Sequence, residues 1–220
     1  MRKILCFLFA VMLTVSLVGC ADTLLKDAKL PPVRTGAGTI SALLEKSYTF
    51  ETAFEEADAV ARIQIGSWLG ENEEIGSTFF EARVLECFKG SMPDIFTLKQ
   101  DGCSTGTWEG YPLFTAGNEI LVFLGEAPLI TEYKSTYWII GAYTTFMNVL
   151  YDDAGNRYYG DLRGILGRTV DIEKNYTFDY ERFQQMYENL KETDSLFAEK
   201  KYEFPYVFAE ADLKTYLIEQ

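Results

Sequence analysis

Ile120-Leu121-Val122-Phe123-Leu124 is an unbroken apolar pentapeptide, entered from Gly117-Asn118-Glu119. A run of that length bounded by a turn reads as a strand buried on both faces, so the sheet it joins must be covered on each side. Working outward, Ala59 to Trp68 alternates around Ile63 and Ile65, and Phe79 to Phe88 is a second extended run. Gly90-Ser91-Met92-Pro93-Asp94 turns the chain into Ile95 to Gln100, which suggests a hairpin. Tyr137 to Tyr151 gives another strand or a pair, and Asp152-Asp153-Ala154-Gly155-Asn156 turns into Arg157 to Gly160. Ahead of them, Ser47 to Asp58 sets Phe50, Ala53, Phe54 and Ala57 at helical spacing against Glu51, Glu55 and Glu56, which predicts a short amphipathic helix lidding the core. Short strands with a helix at the edge predict a β-rich (α+β) fold: a small antiparallel OB-like β-barrel with a flanking N-terminal helix and one or two C-terminal helices.

The C-terminal part changes character. Phe178, Phe183, Met186, Tyr187 and Leu190 recur at helical spacing between Phe178 and Lys191, and Ala209 to Ile218 carries a narrower stripe of Leu213, Tyr216 and Leu217, with a charged connector from Asp194 to Phe204 between them. The expected organisation is residues 1–19 signal peptide, 20–46 tether, 47–165 barrel and 166–220 helical extension packed on the barrel. The tether expectation rests on Pro31-Pro32 and Gly36-Ala37-Gly38 in a stretch with no sustained apolar period.

The N-terminal signal is Arg2 and Lys3, an apolar run of about a dozen residues, then Leu17-Val18-Gly19-Cys20. The last four resemble the lipobox of bacterial lipoproteins. The resemblance implies diacylglycerol on the sulfur of Cys20, loss of residues 1–19, and attachment to the outer face of the cytoplasmic membrane of a Gram-positive bacterium. Two or more acyl chains make such an anchor stable. The chain of 220 residues carries a formal charge of −13, and losing Arg2 and Lys3 makes it two units more negative. Such a surface repels nucleic acid, so no nucleic-acid partner is expected.

With no histidine anywhere, Ser-His-Asp triads, Cys-His pairs and imidazole-held zinc are excluded. Ser104 beside Cys103 has no histidine to activate it, and no Gly-x-Gly-x-x-Gly or P-loop pattern is present. No cofactor is expected. Once Cys6 leaves with the signal and Cys20 is lipidated, Cys87 and Cys103 remain, either as one disulfide or as two free thiols.

Glu56-Ala57-Asp58-Ala59-Val60-Ala61-Arg62-Ile63, Val84-Leu85-Glu86-Cys87-Phe88-Lys89-Gly90 and Gly117-Asn118-Glu119-Ile120-Leu121-Val122-Phe123-Leu124 together resemble the order of features in netrin-like modules and tissue inhibitors of metalloproteinases. Over roughly residues 50 to 150 the resemblance implies an OB-type barrel. Their inhibitory chemistry, a free N-terminal cysteine amine on the protease zinc, is not implied here, because the lipobox would acylate Cys20 and the paired cysteine framework is missing.

Between Gly102 and Phe114 the sequence gathers Cys103, Trp108, Glu109, Tyr111 and Phe114. Rings beside a carboxylate suit a sugar or peptide site, which makes Trp108, Glu109, Tyr111 and Phe114 the candidate ligand-binding residues; the alternative is that the rings close the barrel end. Glu71, Glu73 and Glu74, and Asp152 with Asp153, could gather a cation, but neither set has calcium-loop spacing, and both read as turns. No metal is expected. The reading is a non-catalytic, lipid-anchored domain that binds an envelope protein or a wall-derived ligand. Its alternatives are an envelope hydrolase using a carboxylate pair and a structural subunit of an envelope complex.

Overall fold

In the computed structural model, residues 27–32, 38–40, 46, 48–108, 111–152, 154–161 and 206–219 are described. In chain order the strands are β1 (Gly38–Ile40), β2 (Ala59–Asn72), β3 (Ser77–Lys89), β4 (Ile95–Asp101), β5 (Gly106–Trp108), β6 (Glu119–Glu126), β7 (Thr136–Ile139), β8 (Phe146–Tyr151), β9 (Arg157–Asp161) and β10 (Tyr206–Ala209). The helices are α1 (Phe50–Glu56) and α2 (Glu210–Glu219), and a 3-10 turn spans Ala142–Thr144.

Five strands close a ring. β2 pairs with β3, β3 with β4, β7 with β6 and β6 with β2, all antiparallel, while β4 and β7 run parallel. This is the expected OB-like barrel, with one parallel seam where it closes.

The pentapeptide Ile120-Leu121-Val122-Phe123-Leu124 lies at the centre. Ile120, Val122 and Leu124 point into the barrel among Ala61, Ile63, Phe80 and Leu98, and Leu121 and Phe123 point outward into a second core. That outer core is covered by Phe50 and Ala53 of α1, Met147 of β8, Tyr159 of β9, and Leu213 and Leu217 of α2. Both faces of β6 are therefore buried, and both its edges are paired, one with β2 and the other shared. Leu124 to Glu126 takes β7, and Ile120 to Val122 takes β8. From β8 the sheet continues through β9 to β10.

α1 starts where a capping box forms. The Thr52 N–H donates to Thr49 Oγ1 at 3.1 Å, and the Thr49 N–H donates to Thr52 Oγ1 at 2.8 Å. At its other end Lys89 Nζ donates to the Phe54 and Glu55 carbonyls at 2.6 and 2.8 Å, placing a cation on the last turn. α1 therefore covers the outer core rather than the barrel mouth, and Phe50 meets Phe123 edge-to-face at 5.3 Å.

Two expectations change at the ends. The stretch from Ala21 to Lys46 is not free along its length: the Lys29 carbonyl accepts the Trp68 N–H at 2.9 Å, and β1 pairs in parallel with β5. The C-terminal extension contributes a strand as well as a helix, since β10 pairs with β9. The signal and lipobox, the helix from Phe178 to Lys191 and the connector after it lie outside the described residues. Among the described residues no helix is long and apolar enough to cross a membrane.

Candidate binding face

Tyr111 and Phe114 face inward. They are 7% and 4% exposed and pack on Phe146 at 5.1 and 5.2 Å. Gln100 clamps them by donating from Nε2 to the Pro112 carbonyl at 3.0 Å and accepting the Phe114 N–H on Oε1 at 2.9 Å. Their assignment as ligand contacts is corrected: these rings close the barrel end, and burial leaves no face for a ligand. Trp108 supplies backbone to β5 in register with Ile40, and Glu109 lies outside the described residues.

Cys87 and Cys103 are both free thiols, the first exposed and the second buried. Cys87 sits near the Lys89 end of β3, while Cys103 follows Asp101, which pairs with Ser77 at the other end. Ten residues of strand separate Ser77 from Cys87, about 33 Å along the strand, and the disulfide is not formed. Glu71 is committed as well: its carboxylate accepts the Ser104 N–H at 2.9 Å and the Ser104 hydroxyl at 2.6 Å, tying the hairpin end of β2 to the loop after β4. Asp152 accepts the Ala154 and Asn156 N–H groups at 3.0 and 2.8 Å in the β8–β9 turn. A hydrogen bond from the Asn156 side chain holds the Asp152 carboxyl below its ordinary value against the opposing effect of desolvation. Among the described residues no group of three or more Cys, Asp or Glu side chains is placed to hold a metal ion.

A different surface gathers the chemistry. Register places Gly70, Phe79, Lys99, Trp138 and Gly125 side by side across β2, β3, β4, β7 and β6. Phe80, Ala82 and Leu98 fill the barrel, so alternation turns this row outward. Lys99 pairs with Asp101, two residues along the same strand face. Trp138 is 37% exposed and lies over Gly125. Above Phe79, the β6–β7 connection lays Tyr133 with ring centroids 4.8 Å apart and planes tilted 34°. Burial raises the Tyr133 hydroxyl, and neighbouring Glu132 adds to the shift. Tyr133 thus covers Phe79, and the outer surface consists of the exposed Trp138 and the Tyr133 ring beside an ammonium–carboxylate pair. Alternation in Phe79-Phe80-Glu81-Ala82-Arg83 carries the signal for Phe79, but only strand pairing brings Lys99 and Trp138 beside it.

A second polar cluster joins α2 to the sheet. Arg62 Nη1 donates to Glu119 at 3.1 Å, Tyr151 donates to Glu119 at 2.7 Å, and Arg157 Nε donates to Tyr151 at 3.4 Å. Arg157 also pairs with Glu210; Lys214 bridges Glu210 at 3.1 Å and Glu86 at 2.8 Å, and Glu86 lies 3.7 Å from Arg62 Nε, closing a ring of alternating charge. The Tyr159 hydroxyl and Arg62 Nε are buried there with no hydrogen-bond partner among the described residues. Burial pushes Tyr159 up to about 12, and Glu210 adds to the shift. The ring has as many carboxylates as cations and holds an element in place.

No known family model matches the chain, and no curated protein matches it. Fold and surface together define a class: a small OB-like barrel with an aromatic and charged outer face.

Proposed function

We propose that this protein is a non-catalytic binding domain held by lipid on Cys20 at the outer face of the cytoplasmic membrane, engaging an envelope protein or wall-derived ligand through the face built on Phe79, Lys99 and Trp138. The observation that supports it is the outward row itself: the exposed Trp138 ring for apolar contact and the Lys99–Asp101 ion pair for orientation, on the barrel surface that OB folds use for ligands. The anchor rests on Leu17-Val18-Gly19-Cys20. With the Lys29 carbonyl bonded to the Trp68 N–H, the chain from Cys20 to Lys29 is about nine residues, at most ~32 Å when extended. The barrel then stays close to the lipid surface.

Two measurements test the reading in cells. Cys20→Ala should leave the chain unprocessed by the lipoprotein pathway and insensitive to globomycin; unchanged processing removes the anchor. A photo-crosslinking amino acid at Trp138 should give a discrete adduct that is absent when the same group replaces Ala154 in the β8–β9 turn. Equal labelling from both sites, or none from either, removes the cellular partner at this face.

A further inference from the structure

We propose that Phe79 and Gly70 form a slot for an aromatic ring, that Tyr133 fills it as an internal stand-in, and that a polypeptide ligand binds by displacing Tyr133 with an aromatic side chain of its own. This rests on the binding reading above and adds to it the ligand's chemistry and the self-occupied state of the site.

Phe79 points away from the barrel interior and belongs to neither core cluster, yet it is only 2% exposed. Tyr133 covers it. The slot continues over Gly70, where a Cβ would come within 2.5 Å of the Tyr133 hydroxyl oxygen, so the absence of a side chain gives the phenol its room. The surface is thus shaped to a tyrosyl group, with an aromatic floor and a space at the far end for the hydroxyl.

The segment that presents Tyr133 lies on the surface. Thr131, Glu132, Lys134 and Ser135 are exposed around it, and Leu129 is 94% exposed. Ser135 has φ +49°, a left-handed conformation that strains a residue with a side chain and that release of the loop would relax. The Thr97 N–H donates to the Ser135 carbonyl at 3.1 Å, and the Thr136 hydroxyl donates to the Tyr133 carbonyl at 3.1 Å. The slot therefore already receives an aromatic residue together with its backbone, which is the presentation a peptide offers and a sugar does not. Lys99 with Asp101 and the exposed Trp138 flank it for further contacts.

When the competent state is a minor fraction of the molecules, apparent affinity falls by that fraction. Removing the internal ring should therefore raise affinity for a free one. The test uses the full chain in detergent micelles titrated with N-acetyl-L-tyrosinamide and followed by NMR, with the amide spectrum confirming the fold of each variant. Tyr133→Ala should bind the probe roughly tenfold more tightly than the wild type, the scale of one aromatic contact. Tyr133→Phe, which keeps the ring, should behave as wild type. Adding Gly70→Ala to Tyr133→Ala should remove most of the gain. Equal affinity in wild type and Tyr133→Ala overturns the proposal, as does a gain untouched by Gly70→Ala, and N-acetyl-L-leucinamide or N-acetylglucosamine binding as tightly as the tyrosine probe overturns the aromatic assignment. The crosslink at Trp138 does not depend on Tyr133: an adduct there without the titration gain rejects the slot and leaves the binding face standing, whereas the gain without an adduct supports the slot and removes the cellular partner.

Discussion

The Tyr159 hydroxyl and Arg62 Nε are both buried, and neither has a hydrogen-bond partner among the described residues. A buried hydroxyl without a partner loses its hydration and gains nothing in return, so Tyr159→Phe should raise the stability of the chain by about 1 kcal/mol, read from denaturant unfolding at neutral pH. The titration has a definite sign. Because burial lifts the folded phenol from 10.0 to about 12, the unfolded chain ionises first, and stability present below pH 10 falls as pH rises toward 12. Tyr159→Phe should lack that part of the alkaline loss; a variant with the same alkaline slope as wild type and no gain at neutral pH would mean that the hydroxyl is hydrated in the folded chain. Single residues of this kind differ in how well the sequence announced them. Asp58, Lys89 and Gly90 stood in the runs that resembled netrin-like modules, and in the fold they meet at one corner. Asp58 accepts the Glu126 N–H at 2.8 Å, Lys89 caps α1, and Gly90, at φ +79°, has no room for a Cβ beside the Asp58 carbonyl. Tyr111 and Phe114 were visible as aromatic residues, but whether a ring faces ligand or core depends on Gln100 and Phe146, distant in sequence.

At the scale of elements, α2 is the piece fastened by charge. Leu213 and Leu217 enter the outer core while Glu210 and Lys214 join the ring through Arg157 and Glu86. Desolvation works to raise the Glu210 carboxyl; the hydrogen bonds and charges of Lys214 and Arg157 outweigh it and hold the group below its ordinary 4.5. A depressed carboxyl contributes stability above the unfolded value and loses it as pH falls through the folded one. Glu210→Gln should therefore cost stability at pH 7 by about 1 kcal/mol, and wild type and variant should converge as pH drops below 4.5. Unfolding midpoints across pH 3 to 7 give the comparison, and parallel curves would remove Glu210 from the fastening. The stripe in α2 was legible from Leu213 and Leu217, and β6 from its pentapeptide, because a short segment carries its own periodicity. β2 runs on to Asn72, past the expected end at Trp68, since pairing irregularities between Ile65 and Trp68 and between Trp68 and Gly70 break the alternation that marks a strand. The outward row on Phe79 was hidden for another reason: each strand gives it one residue.

For the molecule as a whole, what joins distant segments is what local pattern could not supply. The parallel seam of β4 with β7, the pairing of β1 with β5 and the edge strand β10 are set by register between segments remote in sequence, so the barrel was foreseeable as a class while its closure and its extended sheet were not. Asp161 ends β9 directly opposite Tyr206, which begins β10, so residues 162–205 leave and re-enter the sheet at the same point. Topologically they are an insertion in a hairpin. Joining Asp161 to Tyr206 through an Asn-Gly turn keeps the register that two-residue hairpin connections favour. It also shortens the connection between the paired residues, which lowers the entropic cost of closure by about 2–3 kcal/mol over four to five halvings of length. The shortened chain should fold with β8, β9, β10 and α2 intact and unfold at or above the wild-type midpoint, measured by thermal melting and by the amide spectrum of Tyr206 to Leu217. A lower midpoint would mean that residues 162–205 contribute more to the packed structure than their closure costs. A retained midpoint would assign the barrel, the binding face and the Tyr133 slot to the rest of the chain, and leave the segment from Phe178 to Lys191 to be studied as an appendage with its own apolar stripe.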